Sequence, residues 1–271
     1  MRTECSRDSF DFASLGRRKV TAAFDGGAMT SNAGALLLRE TDRGIRLSRQ
    51  VAACFRDGRR QDRIEHAVET LVAQRIHGIA LGYEDLNDHD ELRHDPVLGL
   101  VSGKLEARRQ DCAVLAGKST LNRLEHAPRT EDDRYCKLSV DEDAMKRLFV
   151  SIFLKGHAMP PRRIVLDLNA TDDPIHGDQE GRFFHGYYKC YCYLPLYVFC
   201  GRELLLAMLR PANIDAAAGA KGEAARIVAQ ISVNPRSFDH IDVAMLAASD
   251  ERLSASDLAS RADRDRSPLA L

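Results

Sequence analysis

The residues best placed for chemistry lie in one segment, VLDLNATDDPIHGDQEGRFFHGYY. Its opening run is typical of a strand, in which Asp167 and Asn169, two residues apart, lie on the same face. Three more oxygen-bearing side chains follow directly, namely Thr171, Asp172 and Asp173. Such oxygens bind hard cations like Mg²⁺, and two of these ions can activate the attacking oxygen and stabilise the leaving oxygen in phosphoryl transfer. The segment therefore indicates part of a metal site, with a solvated turn or a helix cap as the alternative.

Three strand-like runs and a helix position this segment. The runs are RRIVLDLNATDD, GYYKCYCYLPLYVFC and ELLLAMLRP. The Gly-Arg pair at 201–202 suits a type II′ hairpin between the last two runs. Pro195 lacks a ladder donor and predicts an edge or a bend in the second run, and helical spacing returns over 216–231. We therefore expect Asp167 and Asn169 to lie side by side on the central strand of a three-stranded antiparallel meander.

The N-terminal part of the chain has mostly helical patterns. A helical run begins near Ala35, and apolar residues recur at helical spacing over 64–79, which indicates a core-facing stripe. The acidic run DLNDHDELRHDP after it is interpreted as a solvated turn. Residues 139–142 match a capping box that opens a helix ending near Gly156, and the two prolines at 160–161 break the chain.

These patterns predict an α/β protein in three parts. Residues 1–160 form a mixed, mostly helical N-terminal region. Residues 161–232 form the antiparallel strands and the helix that follows them. Residues 233–271 form a poorly ordered tail, in which IDVAML is one possible strand.

Four cations are candidates for binding phosphate. The run KSTLNRLEH predicts a short helix with Ser119 as its cap and with Lys118 and Arg123 on its polar face. This helix could enter a DNA groove, or it could be an ordinary surface helix. Arg182 and Lys189, close to the acidic segment, are further candidates for phosphate contacts.

Two other groups of residues leave alternatives open. One group consists of tyrosines, interpreted as alternating sheet residues, with a base-stacking platform as the alternative: Tyr187, Tyr188, Tyr191, Tyr193 and Tyr197. The other consists of cysteines, interpreted as small buried hydrophobes because they lack the spacing of a zinc knuckle: Cys190, Cys192 and Cys200.

Composition narrows the class of protein. Of the 271 residues, 44% are hydrophobic and 29% are charged, which is typical of globular proteins. No apolar run approaches the roughly 20 residues of a membrane span, and the N-terminus lacks the apolar core of a secretory signal. Seven irregularly spaced cysteines argue against a disulfide framework. These features favour the cytoplasm, and with a net charge of −1 only local basic patches could bind DNA.

The sequence resembles bacterial insertion-sequence transposases with a group 1 DDE domain. The resemblance lies in VLDLNATDDPIHG, QEGRFFHGYY, YCYLPLYVFCG and LRPANIDAAAGA, and it continues to about Ile231. FDGGAMTSNAGALLL and GYEDLNDHDELRHDPVL are similar to the N-terminal part of the same family. The resemblance implies a ribonuclease H-like fold, of which this chain would hold an incomplete sheet. It also implies that residues 1–160 bind DNA at the terminal inverted repeats of an element.

The resemblance further implies how such a protein works. Two aspartates and a glutamate bind two divalent metals, usually Mg²⁺, and a water or a DNA 3′-hydroxyl attacks a phosphodiester. The family motif Asp-x-Asp-Ala-Thr maps onto residues 167–171, so that Asp167 and Asn169 are the catalytic candidates and Asp167 is the candidate metal ligand. Either position could be the ligand of the family, and Asn169 offers a neutral oxygen where the motif has a carboxylate.

The later part of the family pattern has no counterpart in this sequence. The family continues to an Arg-x-Asp-Ser-Gly-Phe type of motif and to a later glutamate, which suggests a truncated or frameshifted product after Ile231. We therefore expect a catalytically defective transposase. The alternatives are a DNA-binding regulator that forms homodimers or pairs with an intact transposase, and an active magnesium-dependent nuclease.

Overall fold

The computed structural model describes most of the chain, in six ranges: residues 9–15, 17–23, 30–126, 137–157, 163–233 and 241–242. It divides into two compact units, Met1–Val140 and Asp141–Leu271. Both units combine helices with strands, and helices dominate the first. The α/β expectation with a helical N-terminal region is confirmed, whereas the predicted domain boundaries at 160 and 232 stay predictions.

The first unit contains two small antiparallel sheets and six helices in its described part. In chain order these are β1 (Ser9–Leu15), β2 (Arg18–Ala23), α1 (Ala35–Ile45), α2 (Leu47–Ala52), β3 (Phe55–Asp57), α3 (Val68–Ala80), α4 (His89–Leu92), α5 (Pro96–Val101), α6 (Lys118–Glu125) and β4 (Leu138–Val140). Strand β1 pairs with β2, and β3 pairs with β4.

Helix α3 carries the core of the first unit. Its predicted apolar stripe is buried at Leu71 and Val72, and it packs against α2, α5 and α6. The buried amide of Gln74 pairs with the backbone of Ala116, donating to its carbonyl at 2.7 Å and accepting from its N–H at 3.0 Å. The Gln74 side chain thus satisfies both backbone polar groups of Ala116, as a neighbouring strand would, and holds the loop before α6 in place.

The acidic run DLNDHDELRHDP does not form the predicted solvated turn. It forms a 3₁₀ turn and α4, and His89 is completely buried beside Gln74, with 3.1 Å between Gln74 Nε2 and His89 Nδ1. Gly78 makes room for this ring, since a Cβ at that position would lie 2.9 Å from His89 Cε1. Asp95 caps α5 by accepting the backbone N–H groups of Val97 and Leu98.

The second unit is built around an antiparallel sheet. In chain order its elements are α7 (Glu142–Gly156), β5 (Ile164–Val165), β6 (Asp167–Ala170), β7 (Asp173–Pro174), β8 (Phe183–His185), β9 (Cys190–Tyr193), β10 (Leu196–Cys200), β11 (Glu203–Met208), α8 (Ala220–Ser232) and β12 (Ile241–Asp242). The main sheet has the order β11-β10-β6, and a small sheet has the order β7-β9-β8.

Strand β10, not β6, is central in the main sheet. It pairs antiparallel with β6 on one side and with β11 on the other, so the prediction of a central strand for Asp167 and Asn169 is wrong. The reason is that β10 forms the tight hairpin with β11 on one edge, which leaves its other edge for β6. Pro195 divides the predicted second strand into β9 and β10 and produces the expected bend. The hairpin at Gly201 is confirmed, with Cys200 opposite Glu203 and a φ of 60° at the glycine.

Strand β12 lies within the predicted tail. It pairs in parallel with β5, placing Ile241 beside Ile164. Its two residues open the sequence IDVAML, which was the possible strand of that region. The rest of the tail lies outside the described residues.

The core of the second unit lies on one face of the main sheet. Leu168, Leu196 and Val198 are buried on this face, against Phe153 of α7 and Ile227 of α8. Because side chains alternate along a strand, the neighbours of these residues lie on the opposite, open face.

No helix in the described ranges is long and apolar enough to cross a bilayer.

Two predicted helix caps lie at other residues. Helix α7 begins after Asp141, whose carboxylate accepts the N–H of Ala144 at 2.8 Å, whereas Ser139 belongs to β4. Aspartate is as good a cap as serine, and strand pairing with β3 removes the serine from the helix end. Helix α6 has Gly117 at its N-cap and Ser119 within the helix.

Arg210 joins the two sheets of the second unit to the start of α8. It is 5% exposed, and its guanidinium donates to the carbonyls of Leu194 at 2.9 Å, Ala216 at 3.1 Å and Ala218 at 2.5 Å. The backbone N–H of Leu194 in turn donates to the carbonyl of Arg210 at 2.8 Å. One side chain therefore holds the connection between β11 and α8.

We predict that Arg210→Met lowers the free energy of unfolding by about 2 kcal/mol or more, because the buried carbonyl of Leu194 loses its donor. Denaturant unfolding monitored by circular dichroism measures the change. The control is Arg202→Met at the exposed hairpin turn, which should change stability by less than about 0.5 kcal/mol. Equal losses in the two variants would contradict the role of Arg210.

Candidate functional site

Asp167 and Asn169 lie on the open face of the main sheet. In the antiparallel register Asp167 is opposite Phe199 and Asn169 is opposite Tyr197, while Leu168 between them is buried in the core. Asp167 is half-buried and Asn169 is exposed. The rings of Tyr197 and Phe199 are 6.3 Å apart. The expected side-by-side placement is confirmed, and the strand presents one carboxylate and one amide to the same side.

The residues after Asn169 turn toward the small sheet. The backbone N–H of Thr171 donates to the carbonyl of Pro195 at 3.3 Å, and Asp173 pairs with Tyr193 in β9. Burial, followed by the negative charge of Asp172, raises the pKa of Tyr188. Asp172 and Asp173 therefore lie beside the small sheet.

The described part of the chain does not complete a metal site around Asp167. Within it, no group of three or more His, Cys, Asp or Glu side chains could hold a metal ion. Asp167 and Asn169 supply one carboxylate and one neutral amide oxygen, whereas two-metal phosphoryl transfer needs several carboxylates around both ions. These residues alone do not fit two metal ions.

The predicted phosphate contacts Arg182 and Lys189 lie on the small sheet and its turn. Arg182 donates to the carbonyl of Gly177 and to the carboxylate of Asp178 at 2.8 Å, and its guanidinium carbon lies 4.8 Å from the ring centre of Tyr191. Lys189 is exposed in the turn between β8 and β9, with a φ of 56°. Its N–H donates to the carbonyl of His185 at 2.8 Å.

The tyrosines and cysteines of this region differ in solvent exposure and in their position in strands or turns. Tyr191 and Tyr197 alternate with buried residues in β9 and β10, as expected of sheet residues, whereas Tyr187 lies in the turn and is exposed. Cys192 is completely buried in a small cluster with Leu194. Burial and a hydrogen bond with Cys190 raise the pKa of Cys192 to about 11. The interpretation of Cys192 as a small buried hydrophobe is therefore confirmed.

The first unit contains a separate, basic cavity with a volume of about 630 Å³. The acidic residues that line it are Glu65, Asp90 and Asp111. The cations that line it are Arg59, Arg60, Arg63, Arg93, Arg109, Arg123 and Lys137. We call these seven cations the basic cluster. The cations thus exceed the acids around the cavity.

Three members of the basic cluster are paired with carboxylates. Arg59 lies 2.7 Å from Asp57, Arg60 lies 2.8 Å from Asp62, and Arg109 lies 3.4 Å from Glu65. These contacts balance much of the charge of the three side chains.

The other four members make no ion pair with any carboxylate in the described ranges. They are Arg63, Arg93, Arg123 and Lys137. The Nε of Arg93 is buried and has no hydrogen-bond partner among the described residues. Lys118, predicted to act together with Arg123, instead contacts Asn87 at 3.1 Å and Asp90 at 3.3 Å. Arg123 is thus the predicted DNA-binding residue of this helix that lines the cavity without an ion pair.

Two titratable groups beside the cavity respond to its positive charge. Burial, followed by the charge of Lys104, lowers the pKa of His66 to about 4, although Glu65 acts in the opposite direction. Burial alone would raise the pKa of Glu65, but hydrogen bonds from Lys104 and the Arg108 backbone N–H lower it to about 2. At neutral pH the histidine is therefore neutral and the glutamate charged.

Local sequence patterns indicate only one cation of this cavity. Arg123 was a candidate, whereas Arg63, Arg93 and Arg109 were not. These arginines are scattered along the chain between helices, and no local pattern distinguishes them from ordinary surface arginines. Only tertiary packing shows that they surround one cavity.

The chain belongs to the family of proteins with a transposase DDE domain, group 1. The sequence model of that family matches residues 12–241, which is more than half of the chain and extends past the expected limit at Ile231. No curated protein and no solved structure matches the chain significantly. The class of protein, a DDE-type transposase, therefore rests on the family match.

We predict that His66→Asn reduces the dependence of stability on pH. The folded pKa of about 4 lies below the ordinary 6.5, so the unfolded chain binds a proton that the folded chain does not. Wild-type stability from this residue is therefore present above pH 6.5 and lost as the pH falls toward 4. Asparagine keeps an acceptor at the δ position for Lys104 but does not titrate.

Thermal unfolding between pH 7 and pH 4 measures the difference. The stability advantage of the wild type over the variant should shrink as the pH falls. The buried His89 is present in both proteins and cancels in the comparison. Parallel pH profiles would show that His66 is not held neutral by the fold.

Proposed function

We propose that this transposase-family chain binds the DNA of element ends through the basic cluster of its first unit. The observation that carries this proposal is the convergence of four cations without ion pairs, Arg63, Arg93, Arg123 and Lys137, on one cavity. Proteins leave such charges unbalanced at a binding site for anions more often than in a structural core. The anions of DNA are its phosphates, spaced regularly along the backbone.

The types of residue in the cavity suit phosphate. A guanidinium offers several N–H donors in a planar fork that matches two phosphate oxygens. Two of the three lining carboxylates, Glu65 and Asp90, already accept hydrogen bonds from neighbouring N–H groups. The neutral His66 adds no charge but can donate or accept a hydrogen bond. Contacts of this kind fix the register of DNA without reading its sequence.

We further propose that Asp167 corresponds to the first metal carboxylate of the family's strand-transfer site, and that this site is catalytically defective in this chain. It lies on the open face of the main sheet, where DNA can approach without displacing the core. A divalent ion such as Mg²⁺, when bound, polarises a phosphodiester and activates the attacking oxygen. Asp167 and the amide oxygen of Asn169 would contribute two ligands to it. Arg182 and Lys189 would contact phosphates beside this face.

A second candidate function is DNA binding without strand transfer. The observation that favours it is Asn169, whose neutral amide occupies the exposed position on the same face as Asp167. A chain that occupies element ends, as a homodimer or paired with an intact transposase, would regulate transposition rather than catalyse it. A divalent-metal cleavage assay separates both of these candidates from an active magnesium-dependent nuclease.

We predict that Arg63→Gln combined with Arg123→Gln weakens DNA binding at least tenfold at moderate salt. It should also lower the slope of log affinity against log salt by about 1.8, which corresponds to two lost phosphate contacts. The measurement is fluorescence anisotropy with a duplex that carries the terminal inverted repeat, across a salt series.

The matched control is Arg39→Gln combined with Arg43→Gln. Both residues lie on α1 of the same unit and pair with Glu40, so the control changes the net charge by the same amount away from the cavity. The control should retain nearly wild-type affinity. Equal losses in both double variants, or no binding by the wild type at low salt, would reject the basic cluster as a DNA site.

We predict that the purified chain neither cleaves nor joins DNA in Mg²⁺ or Mn²⁺, because two-metal transfer needs several carboxylates held around both ions. Asn169→Asp alone should not restore activity, since it adds one carboxylate to a single strand. The assay follows supercoiled and end-labelled DNA that contains the element ends. Metal-dependent cleavage that disappears in Asp167→Ala would establish a complete site and show that the chain is an active magnesium-dependent nuclease.

A further inference from the structure

The hairpin formed by β8 and β9 exposes four large aromatic side chains, of which Phe183, 41% exposed, lies opposite Cys192. Phe184 is 56% exposed, Tyr191 is 52% exposed, and Tyr187 in the turn is 82% exposed. Phe184 and Tyr191 are direct partners in the antiparallel register, with ring centres 5.5 Å apart. We call Phe184, Tyr187 and Tyr191 the aromatic row.

The aromatic row does not contribute to the core of the hairpin. Cys192, next to Tyr191 in β9, is completely buried in the cluster that contains Leu194, so the alternation of the strand places Tyr191 on the opposite face. The small sheet therefore buries Cys192 on one face and keeps Phe184 and Tyr191 exposed on the other. Burial of apolar surface does not explain the aromatic residues on that outer face, because each member of the aromatic row is more than half exposed to solvent.

Cations accompany the aromatic row. The guanidinium of Arg182 lies over the Tyr191 ring, 4.8 Å from its centre. Exposed Lys189 follows Tyr187 in the turn and has a left-handed φ of 56°, a conformation that glycine or asparagine adopts more readily. A lysine at this position keeps a positive charge at the tip of the hairpin, although it is not the residue that the turn prefers.

The hairpin is linked to the acidic strand through β7, which follows β6 along the chain and pairs with β9. The N–H of Thr171, directly after β6, donates to the carbonyl of Pro195, directly before β10. The aromatic row and Asp167 therefore lie on two separate sheets of the second unit, which follow each other directly along the chain.

We propose that the aromatic row is a stacking platform for unpaired nucleotides at a DNA end. Exposed rings stack on the faces of bases, and neighbouring Arg and Lys side chains bind the phosphates that connect them. The bases of an intact duplex are already stacked on each other, so the platform takes nucleotides from a melted or flipped-out end. This inference rests on the proposed DNA-binding function and specifies the state of the DNA that the second unit binds.

The test compares two DNA probes of the same sequence. One is a fully paired duplex, and the other is a fork whose end carries unpaired nucleotides with 2-aminopurine among them. The wild type should bind the fork more tightly than the duplex, and it should quench the 2-aminopurine fluorescence as the base stacks on a ring.

The variants separate ring stacking from other roles of the hairpin. Tyr187→Leu combined with Tyr191→Leu should lose about fivefold or more in affinity for the fork, keep its affinity for the duplex, and abolish quenching. Tyr187→Phe combined with Tyr191→Phe keeps both rings and should behave as the wild type. Leu209→Ala, at another exposed apolar residue of the same unit, controls for general loss of apolar surface.

Each alternative outcome overturns the proposal in a recognisable way. If the leucine variant binds both probes as the wild type does, the aromatic row faces another partner, such as a protein, while DNA binding by the basic cluster stands. If the leucine variant loses affinity for both probes equally, the hairpin contacts duplex DNA and not unpaired bases. If the wild type binds neither probe, the proposed function itself fails together with the platform.

Discussion

The antiparallel pairing of β6 with β10 determines what the second unit presents to its surroundings. This register places Leu168 in the core opposite Val198, and it thereby places Asp167 and Asn169 on the open face. A shift by one residue would bury both polar side chains and expose the leucine, because every side chain would change faces. The hydrophobic core and the candidate catalytic face are therefore two results of one choice of register.

The first unit concentrates positive charge around one cavity. The chain as a whole has a net charge of −1, yet seven cations line one cavity and only three of them are balanced by neighbouring carboxylates. Glu65 is held charged by Lys104 and by the backbone N–H of Arg108, and within the described part of the chain it pairs with Arg109 but with no other member of the basic cluster. Local asymmetry of this kind lets a nearly neutral protein bind a polyanion.

Local patterns were sufficient for some features of the fold and insufficient for others. The shared face of Asp167 and Asn169, the hairpin at Gly201 and the end of α7 near Gly156 each depend on a few consecutive residues, and the sequence predicts them correctly. The central position of β10 depends on pairing between strands that are distant in sequence, and the burial of His89 depends on Gln74 and Gly78 in another helix. Those outcomes, like the convergence of Arg63 with Arg93, are decided by tertiary packing, which no short window contains.

The parallel pair of β5 and β12 bears on the order in which the second unit folds. Its two strands enclose the whole antiparallel sheet and α8 between them along the chain, whereas β10 and β11 are joined by a two-residue turn. The entropy lost in closing a loop grows with its length, and contacts between distant segments form slowly. We therefore expect the β10–β11 hairpin to act as an early nucleus and the parallel pair to form last. During synthesis on the ribosome, β5 would wait without its parallel neighbour until most of the unit had been translated.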